Sequence, residues 1–137
     1  MNTFANFLKT IFGASSKTNT SNNNVIAAKV IKIEKHPNAD RLRIITLTDG
    51  KNTIGPVVCG AFNFNEGDIV ALALPGAHIA KNIHSKEHES FTLDTATIRG
   101  IESQGMICAA FELGLSDEVG EGITILPADT RLGTIVA

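Results

Sequence analysis

With 137 residues, 43% of them hydrophobic, the chain holds one domain's worth of material and enough apolar side chains for a single core. Its formal net charge of −2 argues against a protein that coats nucleic acid indiscriminately, and no run reaches the ~20 apolar residues a membrane-spanning helix needs. The aromatic residues are seven Phe, with no Trp and no Tyr, so a stacking platform has to use Phe62, Phe64, Phe91 or Phe111, or a His or Arg plane.

From the start of the chain, Phe4, Phe7, Leu8, Ile11 and Phe12 recur at helical spacing and predict a short amphipathic helix ending at Gly13. Residues 14–24 are mostly Ser, Thr and Asn, cannot supply a core and read as a flexible linker. The expected division is therefore a leader and linker over 1–24 and a folded domain over 25–137. The leader has no acidic residue, which leaves a targeting role open, although it carries only Lys9 and Lys17 as cations and no Arg.

Strands are predicted over Val25–Glu34, Arg41–Thr48, Thr53–Cys59, Ile69–Leu74, Phe91–Arg99, Gly105–Ala110 and Gly122–Leu126, from alternation or from short apolar runs. The breaks between them carry turn chemistry. In His36-Pro37-Asn38-Ala39-Asp40, Pro37 forces His36 to be extended, and Asn38 and Asp40 are expected to bond nearby backbone N–H groups. Asp49-Gly50, Gly67-Asp68 and Pro75-Gly76 punctuate the next three segments. Phe111-Glu112-Leu113-Gly114 reads as a short helical turn capped by Gly. Many short strands and almost no helix indicate an all-β barrel or sandwich.

The segment Thr97–Ala109 gathers one arginine, two glycines and a set of uncharged hydrogen-bonders. Arg99 closes a strand, Gly100 and Gly105 supply conformational freedom for a sharp reversal, and Glu102, Ser103 and Gln104 are expected at its tip. Charge is unevenly spread. Residues 25–43 carry Lys29, Lys32, Lys35, Arg41 and Arg43 against Glu34 and Asp40, whereas residues 85–137 carry three cations against nine carboxylates. An anionic partner would therefore dock on the first segment and touch Arg99; a solvated strand face is the alternative.

Catalytic chemistry is not legible. His84 and His88 are four apart but lie in a polar loop with no further ligands, so no metal is expected. There is no phosphate-binding glycine loop and no nucleophile with a base nearby, so no cofactor is expected either. Cys59 and Cys108 sit in separate apolar surroundings without a CxxC partner and read as buried free thiols of a reducing, cytoplasmic compartment.

Three motifs in order, His36-Pro37-Asn38-Ala39-Asp40-Arg41-Leu42, then Val58-Cys59-Gly60-Ala61 with Asn63, then Arg99-Gly100-Ile101-Glu102-Ser103 with Gly105-Met106, resemble the tRNA-binding domain of the oligonucleotide-binding barrel type. The similarity covers about Val25 to Thr134. Leu74-Pro75-Gly76-Ala77 and Glu112-Leu113-Gly114-Leu115 are similar to the form found at the N-terminus of the bacterial phenylalanyl-tRNA synthetase β chain. That form usually has Pro where Phe62 stands, and lysines where this chain has Thr95 and Thr97.

The resemblance implies a five-stranded barrel with a short helical insert. It also implies non-catalytic, structure-directed tRNA binding, as an appended module of such a β chain or as a stand-alone relative. In that role Arg41, Arg43 and Arg99 would meet phosphate, and Asn63, Ser103 and Gln104 the 2′-hydroxyls or backbone. His36, Pro37, Asn38, Asp40, Gly60, Gly100 and Gly105 would shape the loops. The implied partners are tRNA and the synthetase α chain or the remainder of the β chain; homo-oligomerisation stays open. A protein- or peptide-binding module, like the export-chaperone relatives of the fold, is the alternative.

Overall fold

The structure is a computed structural model that describes residues 24–83, 85–117 and 122–136. The amphipathic helix and linker expected before Asn24, and the His84 side of the histidine pair, lie outside the described residues. The described residues form ten strands and no helix. These are β1 (Val25–Lys35), β2 (Arg43–Thr48), β3 (Thr53–Cys59), β4 (Ile69–Ala73), β5 (His78–Ile79), β6 (Phe91–Thr92), β7 (Ala96–Ile98), β8 (Ile101–Ser103), β9 (Met106–Ile107) and β10 (Ile125–Leu126).

The longest strand, β1, organises the main sheet. Its first five residues pair antiparallel with β4, and its later part pairs antiparallel with β2, Lys29 facing Ile69 on one side and Thr48 on the other. The sheet runs β10-β4-β1-β2-β3, and β9 shares the outer edge of β4 with β10. Strand pairing does not close this path. Two hydrogen bonds nevertheless bridge β3 to the end of β8: Val58 N–H to Ser103 Oγ at 2.9 Å and Gln104 N–H to Pro56 O at 2.8 Å.

Val25–Ala28 and Ile69–Ala73 are buried without alternation, as befits strands covered on both faces. On one face, Ile26, Ala28 and Val30 join Ile45, Leu47, Val57, Phe64, Val70, Leu72 and Ile107 in the interior of the curled sheet. On the other, Val25 and Ala27 join Ala71, Ala73, Ile79, Leu93, Cys108, Leu126 and Val136.

Curvature has an identifiable source. The register slips in β1 between Val30 and Lys32, leaving Ile31 unmatched and exposed, and in β3 two residues, Gly55 and Pro56, oppose Thr46 of β2. Both are β-bulges, which bend a strand and sharpen its twist. A proline, having no N–H to donate, is tolerated at such a place.

Several expected elements are shorter or different. The single strand expected over Phe91–Arg99 is two, β6 and β7, pairing with different partners, β5 and β8. Of Gly105–Ala110 only Met106–Ile107 is strand, although Cys108 N–H still donates to Ala71 O at 2.9 Å. The expected helical insert at Phe111–Gly114 is a run of tight turns, in which the N–H groups of Glu112, Leu113 and Gly114 each reach back three residues. Gly114, at φ 78°, and the Leu115 N–H bond to Ala110 O then close it in the Schellman pattern, so the turn never propagates.

Both cysteines are free and buried. Burial pushes both thiols above the ordinary range, most strongly for Cys108, where Glu112 adds to the effect. Since the thiolate is the reactive species, iodoacetamide at mildly alkaline pH is expected to leave Cys108 unmodified in the native chain and to label both residues in denaturant. The same shift makes folding stability decline as pH rises above the ordinary thiol pKa, because the unfolded chain then releases protons that the folded one keeps. Rapid native-state labelling of Cys108, read by peptide mass, would show that this core is open.

Candidate functional site

The three motif segments, distant in sequence, converge at one end of the sheet. The β1–β2 loop, 36–42, is held by His36, which is 1% exposed. Its Nδ1 accepts the Asn38 N–H at 3.0 Å, which leaves Nε2 as the N–H donor to Ile98 O at 3.2 Å. Asn38 Nδ2 donates to Arg99 O at 3.3 Å. The loop-shaping role expected of His36 and Asn38 thus takes a long-range form. The ring of His36 caps the local N–H, and the Asn38 side chain ties the loop to the hairpin of β7 and β8. Pro37 and Asp40 are exposed, and Asp40 has no side-chain hydrogen bond or ion pair among the described residues.

That hairpin turns on two residues. Ile98 faces Ile101, and between them Arg99 and Gly100 both take positive φ, 53° and 92°. This is the pattern of a type I′ turn, which matches strand twist and strongly favours Gly at its second position. The tip of the segment is therefore Arg99-Gly100, and the expected placement of Glu102, Ser103 and Gln104 at the tip is corrected: Glu102 and Ser103 are in β8. Arg99 is exposed and has no ion pair with Asp94 or Glu102, and its backbone carbonyl is tied to the 36–42 loop through Asn38. Arg41, on that loop, is likewise exposed without an ion pair among the described residues.

Three of the polar residues expected to face RNA have structural partners within the domain. Ser103 is 3% exposed; its hydroxyl accepts the Val58 N–H and donates to Gly105 O at 2.9 Å, filling the gap beside β3. Asn63 spends both ends of its amide on Ile123, donating to its carbonyl at 2.9 Å and accepting its N–H at 3.0 Å. Arg43 is half-buried, and its Nη2 donates to Ala61 O at 3.3 Å and Phe64 O at 3.1 Å. Its guanidinium carbon lies 4.5 Å from the Phe62 ring centroid and 4.8 Å from that of Phe64, and its Nε is buried without a partner. An arginine so committed staples the loop after β3. Gln104 is half-buried, with its backbone N–H bound to Pro56 O.

The glycines divide too. Gly100 needs its positive φ. Gly105 does not have one; a Cβ there would lie 2.7 Å from Ala73 O, so what it supplies is close approach to β4 rather than conformational freedom. Gly60 has ordinary room for a Cβ, 3.5 Å from Leu42 Cδ2, and no left-handed φ, so it is not required for the loop's shape.

Beside these segments lies a cleft of about 600 Å³, lined mainly by apolar groups including Leu42, Val58, Ile98, Met106, Phe111 and Ile123. It is not legible in the sequence, because its walls come from segments spread from Leu42 to Ile123. Among the described residues no cluster of His, Cys, Asp or Glu could hold a metal ion, and no helix is long and apolar enough to cross a membrane.

Residues 25–135 match the family described as "Putative tRNA binding domain". The chain is also similar to curated phenylalanine–tRNA ligase β subunits. It is 40% identical to that of Bdellovibrio bacteriovorus over 115 residues, 84% of this chain and 13% of the relative. It is 47% identical to that of Chlamydia pneumoniae over 115 residues, covering 82% of this chain and 14% of the relative. With the Chlamydia abortus protein the identity is 46% over 116 residues, 83% and 14% of the two chains. The chain thus spans only 13% to 14% of the length of these relatives. The match over 25–135 takes in all three convergent segments, and on this ground the chain belongs to the tRNA-binding domain family.

Proposed function

We propose that this chain is a non-catalytic tRNA-binding module, acting as the N-terminal appendage of a cytoplasmic phenylalanyl-tRNA synthetase β chain or as a stand-alone relative of one. The observation that carries the reading is the coupling of the 36–42 loop to the Ile98–Arg99 hairpin, which sets two unpaired arginines on neighbouring loops. Arg41 and Arg99 then meet phosphate, and the Gln104 amide meets a 2′-hydroxyl. The protein reads tRNA by shape. The bridge from β3 to Ser103 and Gln104 supports a closed barrel of the oligonucleotide-binding type, with the interior cluster as its core. Where a longer chain follows, the whole protein is a phenylalanine–tRNA ligase subunit, and its α chain is a partner.

The apolar cleft favours a second reading, capture of an extended apolar peptide. Salt distinguishes the two. Binding of tRNA by the full chain is expected to weaken steeply between low and moderate salt, with a log–log slope near −0.9 per phosphate neutralised in a duplex region. Peptide capture is expected to be flat or to strengthen. Absence of any tRNA binding at low salt, with peptide bound at all salts, would sink the tRNA reading.

A further inference from the structure

Phe62 is 56% exposed, the most exposed large apolar side chain among the described residues. Its surroundings are fixed. On its two sides, the carbonyls of Ala61 and Phe64 are bound by Arg43, and Asn63 is clasped to Ile123. The guanidinium of Arg43 lies 4.5 Å from the ring centroid, a contact that restrains the ring while most of the residue stays in solvent. Phe64 is fully buried two residues on and anchors the loop from within. A backbone so constrained, ending in one uncovered aromatic ring above a cation, carries little ordering cost for a partner that covers the ring.

The backbone that leads to Phe62 runs beside the 36–42 loop: the Arg41 carbonyl lies 3.7 Å from where a Cβ of Gly60, two residues before Phe62, would stand. A flat apolar ring held against the Arg43 guanidinium, on a segment next to that loop, suits a flat ring attached to a phosphate chain.

We infer that Phe62 is a stacking platform for an unpaired nucleobase of the bound RNA. The inference rests on the tRNA reading and adds to it a contact that shape recognition of paired RNA does not require. Base stacking on an aromatic side chain tolerates any base, so the platform selects for an unstacked nucleotide rather than for a sequence.

The test uses the full chain with deacylated tRNA and, in parallel, a blunt RNA duplex without unpaired bases. Phe62→Ala is expected to keep the thermal midpoint, to weaken tRNA binding by about five- to a hundredfold, and to leave duplex binding and the salt slope unchanged. Phe62→Trp places the sole tryptophan in the chain. It is expected to retain affinity and to lose fluorescence when tRNA, but not duplex, is added. Salt-dependent tRNA binding with unchanged affinity in Phe62→Ala would overturn the platform and leave the tRNA reading standing. Equal weakening of tRNA and duplex binding would also overturn it, as the ring would then be shaping the loop. Failure of the unmodified chain to bind tRNA would remove both. Salt-insensitive capture of an apolar peptide that Phe62→Ala abolishes would assign the ring to a protein partner instead.

Discussion

Replacing Arg41 and Arg99 together by alanine is expected to abolish measurable tRNA binding at moderate salt and to flatten the log–log salt slope by about two units. Each single change is expected to account for about one. Both side chains are exposed without ion pairs among the described residues, so folding stability should move by less than about 0.5 kcal/mol. Arg43→Ala is the contrast. Its guanidinium holds two carbonyls and rests near two Phe rings. Its loss should therefore lower stability by on the order of 2 kcal/mol, since both carbonyls lose a charged donor. Affinity per folded molecule would change through the loop rather than through the slope. A stable, folded Arg99→Ala with native affinity and slope would remove that residue from the site.

Gly105→Ala is expected to destabilise the domain by about 1–3 kcal/mol, the range for forcing an extra methyl into a packed site. The obstacle is backbone: Ala73 O, 2.7 Å from the new Cβ, belongs to a strand paired on both sides, and Leu72 Cδ1 stands at 3.2 Å. The Ala73 carbonyl cannot retreat without disturbing the pairing with β1 or β9. Gly60→Ala should be neutral or slightly stabilising, because the new methyl meets only ordinary contacts and the unfolded chain loses freedom. Paired denaturant melts of the two variants decide the matter. Equal midpoints would show that the approach of residue 105 to β4 is looser than described.

Local chemistry was legible where it determined structure by itself. Thr53–Cys59 reads as a strand and is one, and Asp49-Gly50 reads as a turn; there Asp49 Oδ1 accepts the N–H groups of Asn52 and Lys51, which hold its carboxyl below the usual range. The all-β class followed from such signals. What eluded the sequence depended on distant partners. Arg41 and Arg43 look alike two residues apart, yet one is exposed on the loop and the other turns under Ala61 and Phe64. Ser103 looks like a loop-tip hydroxyl until β3 arrives with an N–H that needs an acceptor. Asp94 and Thr95 sit where Phe91–Arg99 changes partner, and alternation cannot mark a change of partner. Membership of the family was legible because its motifs are contiguous, whereas the cleft, assembled from many segments, was not.

The double burial of β1 has a bearing on how the domain comes apart. Successive residues of one strand serve as the wall of both apolar clusters, Val25 and Ala27 for one, Ile26 and Ala28 for the other. The C-terminal stretch is fastened to the same strand, through Ala27 N–H to Thr134 O and Val136 N–H to Val25 O. Neither cluster can be exposed while the other stays intact, since peeling away one side removes the template for its opposite. The two clusters are thereby a single unit of cooperativity, and damage to either one reaches Arg41 and Arg99 first as a lower population of folded molecules rather than as a weaker site.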